Sequence, residues 1–154
     1  MGQTPSPVFR IERHDSQPYN FMIPKTYPTL EIQVRVRYQE TDQMGVVYHA
    51  NYFTFFEIGR TEYLRHSGYT YRRMEEEGVF AVVVKAECSY HKAAKYDDLL
   101  TIKTTIKRMT RVKVEYEHQV YRDSELLVTG RITLAFVDAS GKICLAPSWI
   151  QAEE

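Results

Sequence analysis

Residues 38–53 read YQETDQMGVVYHANYF, and the parsing of this stretch decides the fold. Before it, Ile32, Val34, Val36 and Tyr38 alternate with Gln33, Arg35 and Arg37, the period of a half-buried strand. After it the period changes. Tyr52, Phe56, Gly59 and Tyr63 recur at helical spacing, predicting a helix over roughly 50–67 that stops at Gly68, a good residue just past a helix end. A strand therefore turns at Gly45 into a helix that begins near His49 or Asn51. Such a connection needs turn residues and a cap. It does not need Asp42, Tyr48, His49 and Asn51 crowded together.

Outward from that stretch the organisation is simple. Pro5, Pro7, Pro18, Pro24 and Pro28 fall early, so residues 1–30 are expected to be an extension without regular structure, and residues 31–154 one domain. Gly59 in mid-helix costs about 1 kcal/mol relative to Ala, which predicts a close approach to another backbone there. A second short helix is expected over Tyr71–Glu77, ending at Gly78. Then come strand-like runs rich in Val, Ile, Thr and Tyr at 80–92, 98–109, 111–123 and 125–138, with a last short strand near 142–146. Their short polar links imply antiparallel neighbours. The class is α+β, one sheet wrapped around one central helix.

The bulk numbers exclude several functions. With 20 Lys+Arg against 20 Asp+Glu, the formal net charge is zero, without the basic excess expected of a nucleic-acid binder. No run of about 18 apolar residues exists, so no transmembrane segment is expected. The N-terminal stretch lacks the apolar core of a secretory signal, and Gly2 alone is weak support for myristoylation. Cys88 and Cys144 are too few for a disulfide framework and read as reduced thiols of a cytoplasmic protein.

The chemistry centres on Asp42. A turn aspartate commonly satisfies its own backbone. A carboxylate beside a helix N-terminus can also act as base or nucleophile, with the free N–H groups and positive dipole end stabilising an oxyanion. His49 lies across the same turn. No second His or Cys stands at metal-ligand spacing from it, so neither a metal nor a cofactor is expected. No nucleophile-elbow serine and no glycine-rich phosphate loop occur. Cys88, mid-strand among apolar residues, reads as an inert thiol. Lys92, Lys95, Arg108 and Arg111 sit at strand ends, as a solvated rim or as a clamp for a phosphate-bearing substrate.

The run RVRYQETDQMGVVYHANY (35–52) resembles the signature of the 4-hydroxybenzoyl-CoA thioesterase family of hotdog-fold proteins, especially its YbgC-type acyl-CoA thioesterase branch. FFEIGRTEYLRHSG (55–68), SYHKAAKYDDLLTIKT (89–104) and LAFVDASGKICLAPSWI (134–150) extend the similarity over about residues 32–150. The resemblance implies a long helix wrapped by a curved antiparallel sheet of five to six strands. It implies a homodimer or homotetramer with active sites at the subunit interface. Asp42 then matches the catalytic aspartate, as nucleophile or general base. Tyr38 and His49 match its flanking catalytic residues, and the backbone N–H near His49 matches the group polarising the thioester carbonyl. Gly45, Val46, Tyr48 and Asn51 fall on the substrate side, with Lys92, Arg108 and Arg111 as candidate contacts to CoA. Ala93 stands where similar sequences usually carry Pro, and residues 1–30 have no counterpart in short family members. The implied activity is hydrolysis of an acyl-CoA of unspecified chain, against the alternative of a non-catalytic module that binds acyl-CoA or a protein.

Overall fold

Alternation in the sequence becomes a sheet in the computed structural model, which describes residues 27–150. The strands are β1 (Thr29–Arg35), β2 (Phe80–Tyr90), β3 (Leu99–Met109), β4 (Lys113–Arg122) and β5 (Glu125–Val137). They pair antiparallel in the order β1-β3-β4-β5-β2, so β1 and β2 are the outer strands. The helices are α1 (Asn51–His66) and α2 (Tyr71–Glu76).

One face of the sheet carries the apolar residues. Leu100, Ile102, Thr104 and Ile106 of β3 are buried, as are Val114, Tyr116, His118 and Val120 of β4. Against them α1 lays Tyr52, Phe55, Phe56, Gly59, Tyr63 and Leu64. Burying a large apolar side chain of this kind contributes roughly 1.5–3 kcal/mol, so the helix is held by its contact with the sheet more than by its own propensity. The long helix packed on a curved antiparallel sheet is the expected hotdog arrangement.

Four local expectations are corrected. The first strand ends at Arg35, and Tyr38 lies beyond it in a one-turn 3₁₀ helix, Tyr38–Glu40. Val36 no longer pairs with β3; its N–H donates to the Asp98 carbonyl at 2.9 Å. The close approach at Gly59 is to side chains, not to a backbone: a Cβ there would lie 2.5 Å from Thr104 Oγ1 and 3.3 Å from His118 Nδ1. The last strand is reduced to a single bridge, Val137 to Ile143, because Asp138 and Lys142 close a tight turn and Ala146 then hydrogen-bonds to the Arg111 carbonyl instead. β1 begins two residues inside the expected extension; its residues 1–26 lie outside the described residues.

Candidate active site

The polar stretch between β1 and α1 is a closed loop. Thr41 and Val47 form an antiparallel bridge at its neck. The Glu40 carbonyl accepts both the Tyr48 N–H at 2.9 Å and the Asn51 side-chain amide at 2.8 Å, which fastens the loop to the start of α1. Glu40 is only 6% exposed, and its Oε1 accepts the Arg37 N–H at 2.7 Å. Glu40 thus anchors the loop from both its backbone and its side chain, a role not read from the sequence.

Asp42 sits at the loop's tip side, half-buried. Its N–H and carbonyl pair with Val46 and Gly45, each at 2.9 Å, and its Oδ1 accepts the Met44 N–H at 2.8 Å. The turn chemistry expected of an aspartate is therefore present. It occupies one carboxylate oxygen, fixes the rotamer, and leaves Oδ2 without a hydrogen bond among the described residues. Gly45 has φ of +74° and open space around its missing Cβ, so the turn needs glycine for backbone conformation, not for room.

The other half of the site is the start of α1. Ala50 occupies the N-cap, and no side chain caps the helix. Among the described residues, neither the His49 nor the Ala50 N–H donates a backbone hydrogen bond. These open donors lie at the positive end of the helix dipole. The His49 ring lies 4.5 Å from that of Tyr48 and 6.2 Å from that of Tyr90, and the Tyr90 hydroxyl donates to the His49 carbonyl at 3.0 Å.

A second loop, residues 91–98, supports the first. The Val47 N–H donates to the carbonyl of buried Ala94 at 2.8 Å. Arg122 holds this loop by reaching the Ala93 carbonyl at 3.2 Å and Asp98 Oδ2 at 2.8 Å, and it also pairs with Glu125. Burial of Asp98 would raise its pKa, but the Lys95 N–H and Arg122 outweigh it and hold the carboxyl below its ordinary value. The Ala93 carbonyl thus remains held where similar sequences carry Pro.

The predicted site residues separate into two groups. Asp42, Gly45, Val46, Tyr48, His49 and Asn51 share the loop and helix start. Tyr38 is 78% exposed and packs edge-on against Tyr96 at 5.5 Å, with no side-chain bond to Asp42 or His49. Lys92 is engaged by Glu125 at 2.7 Å near the β4–β5 turn. Arg108 pairs in register with Glu115 near the β3–β4 turn. Glu115 and Arg122 are seven residues apart on β4, roughly 23 Å at about 3.3 Å per residue. Lys92 and Lys95 therefore lie at the opposite end of the sheet from Arg108 and Arg111, and one chain cannot close them into a single clamp. Cys88 and Cys144 are both unpaired, and burial pushes the Cys88 thiol up, as expected of an inert thiol. No helix among the described residues is long and apolar enough to cross a membrane.

Comparison with known proteins agrees with the fold. The profile of the thioesterase-like superfamily matches residues 36–153. The acyl-CoA thioesterase YbgC of Haemophilus influenzae is 42% identical over 106 residues, covering 68% of this chain and 78% of that protein. The putative acyl-CoA thioesterase YneP of Bacillus subtilis is 40% identical over 89 residues, 58% of this chain and 64% of that protein. A probable thioesterase from Bartonella henselae superposes with a TM-score of 0.74 at 36% identity, over 77% of this chain and 99% of that one.

Proposed function

The chain belongs to the thioesterase-like superfamily, among enzymes of the thioester-hydrolase class, and from that premise we propose that it hydrolyses an acyl-CoA to the free acid and CoA. The observation that carries the reading is the pairing of two incomplete groups on one hydrogen-bonded loop. Asp42 has one oxygen fixed and one open, and the helix start beyond it has N–H donors without backbone acceptors.

A thioester needs little more. The His49 N–H, assisted by the dipole of α1, takes the carbonyl oxygen and stabilises the negative charge that forms on it. Asp42 either removes a proton from the attacking water or attacks the carbonyl carbon itself, giving an anhydride that water then opens. In both routes the C–S bond breaks, the CoA thiolate leaves, and water supplies its OH to the acyl carbon and its remaining proton to the thiolate. His49 and Tyr38 contribute supporting side chains at the rim. Gly45, Val46, Tyr48 and Asn51 form the wall nearest the acyl group.

The site is completed by a second subunit, in a homodimer or a tetramer built from it. β2 is an outer strand with Val82, Val83 and Val84 exposed, a surface suited to pairing with another strand. Arg108 and Arg111 contact the CoA phosphates only across such an interface, since their own chain holds them away from Lys92. A cytoplasmic location fits a CoA ester substrate and two unpaired cysteines.

The test is turnover of a panel of short, long and aromatic acyl-CoAs, read with a thiol reagent. Asp42→Asn is expected to lower kcat by on the order of 10²–10⁴ with the fold retained, the scale of a lost general base. An unchanged rate would remove Asp42 from the mechanism. Binding without CoA release across the whole panel would favour a non-catalytic module.

A further inference from the structure

The contact between Tyr90 and His49 has no place in the mechanism so far. Tyr90 ends β2, a strand hydrogen-bonded along its length to β5, and its hydroxyl donates to the His49 carbonyl at 3.0 Å. Its ring also stands edge-on to Tyr52 at 5.7 Å, on the first turn of α1. Partial burial pushes the phenol up to about 12, so the group stays a protonated donor at neutral pH.

The carbonyl it holds belongs to the same peptide unit as the Ala50 N–H, and the next unit back carries the His49 N–H. Fixing that oxygen fixes the plane of the unit at the helix start. A hydrogen bond accepted by an amide carbonyl also polarises the amide and strengthens its N–H as a donor. The helix start has no side-chain cap of its own, so its geometry is set from outside, by Tyr90 and by the two bonds to the Glu40 carbonyl. Anchoring from a paired strand is the kind of support that holds donors in a productive geometry.

We propose that Tyr90 is a positioning residue, whose hydroxyl orients the peptide at the start of α1 so that the His49 and Ala50 N–H groups converge on the thioester oxygen. The proposal rests on the reading of the site given above.

Tyr90→Phe deletes one oxygen and tests it beside Asp42→Asn, on an acyl-CoA that the parent enzyme turns over. We expect kcat to fall about tenfold with KM changed by less than about twofold, the size of one hydrogen bond withdrawn from the transition state. The Ala50 amide nitrogen resonance should move in the same variant. An inactive Asp42→Asn together with parental kcat in Tyr90→Phe, or with a loss confined to KM, overturns the role of Tyr90 and leaves the site reading standing. Unchanged kcat in Asp42→Asn overturns both. If circular dichroism shows Tyr90→Phe to be unfolded, Tyr90→3-fluorotyrosine keeps the ring and strengthens the donor. There, kcat at or above the parental value supports the proposal, and a lower kcat overturns it.

Discussion

His118 shows what a single buried residue does to this fold. It is fully buried on β4, stacked on Phe56 at 4.9 Å and bonded through Nδ1 to Thr104 Oγ1 at 2.9 Å. Its Nε2 has no partner among the described residues. Protonation would place a charge in that apolar setting. Burial, with Arg60 adding to it, pushes the pKa from 6.5 down to about 3. The unfolded chain takes up a proton near 6.5 and the folded chain does not. The stability is therefore complete above that value and is lost as pH falls from 6.5 towards 3, by about 1.4 kcal/mol per unit. Urea unfolding at pH 7 and pH 5 should show the loss, and His118→Asn should flatten it. An equal slope in the variant would place its source elsewhere. In the sequence, His118 is one more residue of the strand-like run at 111–123. Its burial depends on which face of β4 meets α1, a fact of tertiary packing.

The element that most constrains the core is the crossing of α1 over β3 and β4. Gly59 is there because Thr104 and His118 occupy the space of a side chain. Gly130 on β5 is the matching case, since a Cβ there would enter the ring of Phe56. Gly59→Ala gains about 1 kcal/mol of helix propensity but overpacks the contact, at a cost of about 1–3 kcal/mol. We expect a net loss in urea unfolding; a gain would show that Thr104 can turn away freely. Legibility in the sequence follows the same division. The order of helices and strands was readable because period and turn residues are local. The tight spot at Gly59 was readable as such, but its partners, 45 and 59 positions further along, were not. At the site, Asp42, Gly45 and His49 were visible because one loop carries them. Glu40, Tyr90 and Arg122 were missed: the carbonyls that Tyr90 and Arg122 hold are brought to them only by the fold, and Glu40 looks like an ordinary charged turn residue. Conversely, Lys92 and Arg108 look alike as strand-end cations, and only the antiparallel register separates them.

For the whole molecule the open question is the outer edge of β2. A strand of eleven residues, exposed along most of its length and carrying three consecutive valines, is an unusual edge to leave to water. β1, the other outer strand, alternates and carries Glu31 and Arg35 outward, which discourages pairing. Joining two copies through β2 would continue the sheet from one protomer to the next. It would also bring the Tyr90 end of each β2 close to the interface, beside the helix start that holds the open N–H groups. The expected assembly in sedimentation velocity is a dimer, twice the 18.1 kDa chain, or a tetramer of such dimers. Val82→Lys combined with Val84→Lys places like charges at the edge and should yield monomers, with acyl-CoA turnover falling in step with the loss of dimer. The coupling of the two readouts is what matters. A parent enzyme that is monomeric at full activity would show that one chain completes the site. A charged variant that is monomeric yet fully active would show that β2 pairs copies without contributing to catalysis.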